Sequence, residues 1–207
     1  HDTQLNVFAD FEPKVPAHST KPKALFCANM IPMLQMKVLE QANSSRLSML
    51  DSMNLWIEIA RDDLLSVMKS VDLIIINDGE VRMLADDDNL IRASKKLIHM
   101  VGCETLVIKK GENGVLAFHN DDIIALPAYP TQNVADPTGC GDSFAGTIAA
   151  FLASGDGQVS KNELREALIR ATVTASFTLE SFGTSGLLDL TQEKFETRLE
   201  LFKKILS

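Results

Sequence analysis

The run Asp136-Pro137-Thr138-Gly139-Cys140-Gly141-Asp142-Ser143-Phe144-Ala145-Gly146 carries the strongest case for chemistry in this chain. Gly139 and Gly141 stand one residue apart, an acid follows at once, and an apolar helical pattern begins at Phe144, Ile148, Phe151 and Leu152. Glycines accept backbone angles that other residues resist, so such a turn can aim successive N–H groups into one space. At the positive end of a helix, that space stabilises an anion. Asp142, at the mouth of the helix, lies within reach of what binds there. Amide donors beside a carboxylate suit phosphoryl transfer, in which donors steady the moving phosphate and a base takes the proton of the attacking hydroxyl.

Part of this string is also ordinary turn and cap chemistry, since Asp-Pro-Thr-Gly turns are common and Asp or Ser often precedes a helix. Two other glycine-rich readings fit worse. A dinucleotide-binding turn needs G-x-G-x-x-G after the first strand, whereas here Gly146 comes five residues after Gly141, two-thirds along the chain. A P-loop needs G-x-x-x-x-G-K-[ST], and Lys109-Lys110-Gly111 does not supply one.

The elements that must position this turn alternate along the chain. Ala24–Asn29, Arg46–Asp51, Val71–Ile76 and Thr105–Lys109 read as strands, the third apolar almost throughout, as in a central parallel strand. Pro32 is placed for the first turn of a helix carrying Leu34, Val38 and Leu39 on one side. A second helical stretch runs through Trp56, Ile59, Leu64, Leu65 and Met68 and breaks near Arg61-Asp62-Asp63. Further helices are expected near 78–86, 89–101, 141–154, 161–181 and 192–206, with a hairpin of Gly114–His119 and Asp122–Leu126 around Asn120-Asp121. Leu5–Phe11 alternates as an edge strand, and Pro13, Pro16 and Pro22 keep 12–23 irregular. Strands alternating with helices imply one α/β domain over 1–207: three layers, doubly wound, with a mostly parallel sheet. Ligands in such folds bind beyond the C-terminal strand ends, where Asp51, Asn77–Glu80 and Lys109–Gly111 all fall.

Composition bounds the function. With 45 % hydrophobic and 23 % charged residues, the 207-residue chain can build a substantial core. A net charge of −8 argues against nucleic acid as a partner. No apolar run approaches the roughly 20 residues of a membrane span, and no signal-peptide pattern opens the chain. Cys27, Cys103 and Cys140 show no metal spacing and are expected as free thiols in a reducing cytoplasm. The histidines (His1, His18, His99, His119) are single and scattered and supply no zinc-ligand spacing.

Taken whole, residues 136–146 resemble the C-terminal signature of the ribokinase-like, PfkB-family carbohydrate and nucleoside kinases, roughly D-T-x-G-A-G-D-x-F, with Cys140 where Ala is usual. The resemblance covers nearly all of this chain but the C-terminal two-thirds of a typical member. It implies that the first core strands, a sugar-contacting glycine pair and most of a small β lid lie upstream, with Leu5–Phe11 as a remnant lid strand. The fold implied is the ribokinase-like α/β sandwich. The activity implied is ATP-dependent phosphorylation of a hydroxymethyl group on a sugar or nucleoside. Asp142 would be the general base, and the amides of Gly139, Cys140 and Gly141 the anion hole. Asn77-Asp78-Gly79-Glu80 resembles the family's N-x-x-E, which implies that Glu80 holds Mg²⁺ through water and that Asn77 lies near the phosphates.

Lys109 stands where the family usually has Thr or Ser, and a cation there can still meet phosphate, while Gly111 allows close approach of ATP. Thr138 belongs to the lead-in of the signature, and Thr172, in the late helix Ala167–Gly183, matches a position that commonly carries Asn beside the adenine. A monovalent-cation site near the Asp136 loop and homodimers through the lid occur in relatives. The alternative reading is a nucleotide- or sugar-binding module without turnover.

Overall fold

A computed structural model describes residues 10–207; the strand expected at Leu5–Phe11 lies outside them but for its last two residues, which are not strand. In chain order the elements are β1 (Ala24–Cys27), α1 (Pro32–Gln41), β2 (Leu47–Asp51), α2 (Asn54–Ile59), α3 (Arg61–Met68), β3 (Leu73–Asn77), α4 (Asp78–Ala85) and α5 (Leu90–Val101). There follow β4 (Thr105–Lys109), β5 (Val115–His119), β6 (Asp122–Leu126), α6 (Cys140–Ser154), α7 (Lys161–Leu179), the single turn α8 (Ser185–Leu188) and α9 (Gln192–Leu206). Local chemistry sets several of these limits. Pro32 opens α1, Asn89 caps α5, and Gly102 closes α5 at φ 70°. The expected break between α2 and α3 falls at Ala60, whose φ of −145° and ψ of 39° leave the helical region.

The sheet runs β1-β2-β3-β4-β5-β6, the first four strands parallel and the hairpin antiparallel. Strand residues alternate between two cores, as a period of two requires. Leu50, Ile74, Ile76, Leu106 and Ile108 pack against α2–α5. Met49, Leu73, Ile75 and Val107 pack against α6, α7 and α9. Helices therefore cover both faces, which makes the three layers expected. Burying each such Leu or Ile contributes about 1.5–3 kcal/mol.

The same alternation decides where the polar strand ends point. Asp51, Asn77 and Lys109 each follow, two residues on, a side chain of the second core: Met49, Ile75 and Val107. All three lie at the C-terminal edge of the parallel strands, with Asn77 paired to Lys109 in register. That edge faces α6.

Candidate functional site

Gly139 takes φ 81° and ends the loop that delivers α6. Cys140, Gly141 and Asp142 form the helix's first turn. Among the described residues the amides of Gly139 and Gly141 make no hydrogen bond, whereas the Cys140 N–H donates to the Pro137 carbonyl at 3.2 Å. Of the three amides expected to serve an anion, one is thus engaged within the turn itself. Asp136 accepts from the Thr138 N–H at 2.9 Å, which fixes the lead-in and holds the Asp136 carboxyl below its ordinary range. Thr138 itself is exposed. Asp142 is exposed, and its carboxylate accepts no hydrogen bond among the described residues.

At the β3–α4 junction, Asn77 and Glu80 form a reciprocal cap. The Asn77 Oδ1 accepts from the Glu80 N–H, and the Glu80 Oε2 accepts from the Asn77 N–H, each at 2.9 Å. Glu80 is only 3 % exposed, and burial pushes its carboxyl up to about 7, with Asp51 adding to the rise.

Lys109 is no solvated lysine. Its ammonium binds both oxygens of Asp51, at 2.9 and 3.0 Å, and the Asp51 side chain is only 6 % exposed. Burial raises the Asp51 carboxyl; Lys109 opposes that rise and the nearby Asp142 adds to it. A Cβ built on Gly141 would lie 3.3 Å from the Lys109 Nζ, so this ammonium sits against the first turn of α6. Asp51, Glu80, Lys109 and Asp142 thus belong to one electrostatic neighbourhood. The sequence marked Asp51 as a strand-end acid and gave it no role.

Beside this cluster opens a cleft of about 630 Å³ lined by Lys109, Gly111, Cys140, Gly141 and Thr172, among others. That volume lies in the range of small-molecule sites. Gly111, at φ 55°, faces open space. Gly114 is structurally compelled, since a Cβ there would come within 2.1 Å of the Leu126 carbonyl oxygen. Thr172 is buried in the wall, with its hydroxyl donated to the Leu168 carbonyl at 2.8 Å. It can therefore offer a ligand an oxygen lone pair but no proton. Asn77, Glu80, Thr138, Gly139 and Asp142 lie outside the lining.

The opposite wall was missed by sequence reasoning. Pro127, Tyr129, Pro130, Thr131 and Val134 line it, from the segment between β6 and α6. Its signal was an apolar, proline-rich loop directly after a hairpin. The loop is tied to the end of α7 by the Ala135 and Asp136 amides, which donate to the Leu179 carbonyl. Thr131 also donates to Glu180 at 2.7 Å, and Arg198 of α9 pairs with Glu180 while lying over Phe177 and Tyr129.

The thiols should sort by the same geometry. Burial pushes Cys27 and Cys103 up to about 11, and half-buried Cys140 also rises, through burial first and Asp136 second. Thiolate is the reactive form. A colorimetric thiol titration at pH 8 should find only Cys140 reacting in the native protein and all three thiols in denaturant. Fast native reaction of Cys27 or Cys103 would contradict their burial.

Residues 27–190 match the pfkB family carbohydrate kinases, and the chain belongs to that family. It is 32 % identical over 97 residues to the cytidine kinase of Thermococcus kodakarensis, covering 46 % of this chain and 34 % of that one. Fructokinase-2 of Oryza sativa subsp. japonica is 32 % identical over 112 residues, 54 % of this chain and 33 % of the other. The aligned part thus spans about a third of the length of both relatives. The solved nucleoside kinase of Methanocaldococcus jannaschii superposes with a TM-score of 0.72 at 21 % identity, covering 94 % of this chain and 60 % of that one. This is the ribokinase-like fold. No helix of the described residues is long and apolar enough to cross a membrane.

Proposed function

We propose that this chain carries the nucleotide site and the base of an ATP-dependent kinase that phosphorylates a hydroxymethyl group of a sugar or nucleoside. The observation that carries this reading is the first turn of α6. There an uncommitted carboxylate, Asp142, adjoins the free amides of Gly139 and Gly141, with the Lys109 ammonium beside them.

The residues present fit the nucleotide and its metal. Free amides at a helix N-terminus and an ammonium suit phosphate, and the cleft between Gly111, Thr172 and the proline-rich loop suits a nucleoside. Among the described residues no three His, Cys, Asp or Glu side chains converge as a metal cage. Mg²⁺ keeps several waters and takes phosphate oxygens, so a single carboxylate suffices on the protein side; Glu80 would hold it through water, with Asn77 near the phosphates. When bound, MgATP supplies the phosphoryl group and a charge that offsets the phosphates.

Asp142 takes the proton from the acceptor hydroxyl as its oxygen attacks. The Gly139 and Gly141 amides and Lys109 stabilise charge on the transferring group, the dominant contribution in this chemistry. Gly111 lets the nucleotide approach the backbone.

The test is ADP formation with Mg²⁺ against a panel of sugars and nucleosides. At least one acceptor should raise turnover well above the ATPase background. ATP bound with no acceptor effective would leave a binding module and overturn the proposal.

A further inference from the structure

We propose that Asp51 is a positioning residue: it holds the Lys109 ammonium at the mouth of α6, where that ammonium meets the terminal phosphates of the bound nucleotide. This rests on reading the cleft as the ATP site. The placement follows from the sheet. Both residues end parallel strands separated only by β3, and both point to the α6 side by the alternation described above.

Two features make the arrangement costly for stability alone. An ammonium beside Gly141 stands at the positive end of a helix, where a cation is disfavoured. A buried carboxylate–ammonium pair is weak evidence of stabilisation, because desolvation offsets much of the attraction. The arrangement makes sense when an anion joins it. Phosphate arriving at the α6 terminus finds a cation already in place, and the entropy of ordering a long lysine stem has been spent in folding. The Asp51 carboxylate is itself fixed. Its Oδ1 also accepts from the Ser52 N–H at 2.9 Å, and its carbonyl accepts from the Gln35 Nε2 at 3.1 Å. Lys109 also acts on the buried Glu80, so the cation is shared by the strand ends that frame the site.

The sign of one change separates positioning from mere charge. As a bare negative charge, Asp51 repels phosphate, and Asp51→Asn would tighten ATP binding. As the holder of Lys109, its loss weakens ATP binding.

Calorimetric binding of ATP and of AMP, each with Mg²⁺, decides between these using wild type, Lys109→Met, Asp51→Asn, the double variant and Lys110→Met. A charge-assisted hydrogen bond converts to a loss in ATP affinity of about tenfold for Lys109→Met, and of roughly threefold to tenfold for Asp51→Asn. The double variant should bind ATP no more weakly than Lys109→Met alone. AMP affinity should hold throughout, and Lys110→Met should match wild type; a purely structural loss would move AMP and ATP together. If Asp51→Asn fails to fold, Asp51→Glu keeps the charge but displaces it by one methylene, and should also lose ATP over AMP.

ATP bound by Asp51→Asn as tightly as by wild type, or more tightly, overturns the proposal. So do additive effects in the double variant, or an Asp51→Glu protein indistinguishable from wild type. A wild-type chain that binds no ATP overturns the wider reading of the cleft as well, a result distinguishable from these.

Discussion

Asp142→Asn should lower kcat by at least about a hundredfold while ATP affinity stays within a few-fold of wild type. The reason is that Asp142 is committed to nothing else. It is exposed, accepts no hydrogen bond among the described residues, and stands in the first turn of α6 beside the free Gly141 amide. Asn keeps its shape but cannot take a proton. A hundredfold loss corresponds to about 2.7 kcal/mol of transition-state stabilisation. The structural cost is smaller, because a carboxylate in a first helical turn contributes about 0.3–1 kcal/mol through the helix dipole. Thermal stability should therefore shift little while turnover collapses. Removing a negative charge near the phosphates favours ATP binding, so lost affinity cannot account for lost turnover. Single-turnover kinetics with a productive acceptor, with ATP binding measured separately, makes the comparison. Retained turnover would take Asp142 out of the role of base.

What could be read from the residues was what depends on neighbours in sequence. The glycine turn announced α6, which begins at Cys140, one residue before its expected start. Pro32 announced α1, and the helix expected near 78–86 runs Asp78–Ala85, opened by a reciprocal cap between Asn77 and Glu80. The parallel strands and the hairpin were legible from their apolar runs and the Asn120-Asp121 turn. The short turn α8 gave no periodic signal.

What stayed hidden depends on register and on distant contacts. Lys109 looked like a departure from the family's hydroxyl residue; only the pairing of strands across β3 shows that it meets Asp51. The far wall of the cleft belongs to no periodic element and is fixed by α7 and α9, through Leu179, Glu180 and Arg198. Committed hydrogen bonds were equally invisible. The Cys140 amide is engaged by Pro137 and the Thr172 hydroxyl by Leu168, so residues of fitting type offer less than their chemistry allows.

Glu80→Gln should separate what this carboxylate does for activity from what it costs the fold. Burial raises its carboxyl from about 4.5 to about 7, so the folded chain retains a proton that the unfolded chain has released. The sign follows from linkage. The stability this group contributes is fully present below about 4.5 and is lost as pH rises to about 7, beyond which the folded protein holds a buried anion. In energy the span corresponds to at most about 3 kcal/mol. Gln keeps an acceptor for the Asn77 N–H and cannot ionise, but its amide group needs a partner in a buried site, at a cost of about 1–3 kcal/mol. Because the two nearly offset at high pH, the slope is the decisive quantity. Wild type should lose stability between pH 4.5 and 7 in denaturant titrations, and the variant should lose distinctly less. If, as proposed, this carboxylate holds Mg²⁺ through water, turnover should fall at least tenfold and recover in part at raised Mg²⁺. A flattened slope with full activity would reduce Glu80 to a helix cap. An unchanged slope would mean that the carboxylate is better solvated in the folded chain than its burial implies.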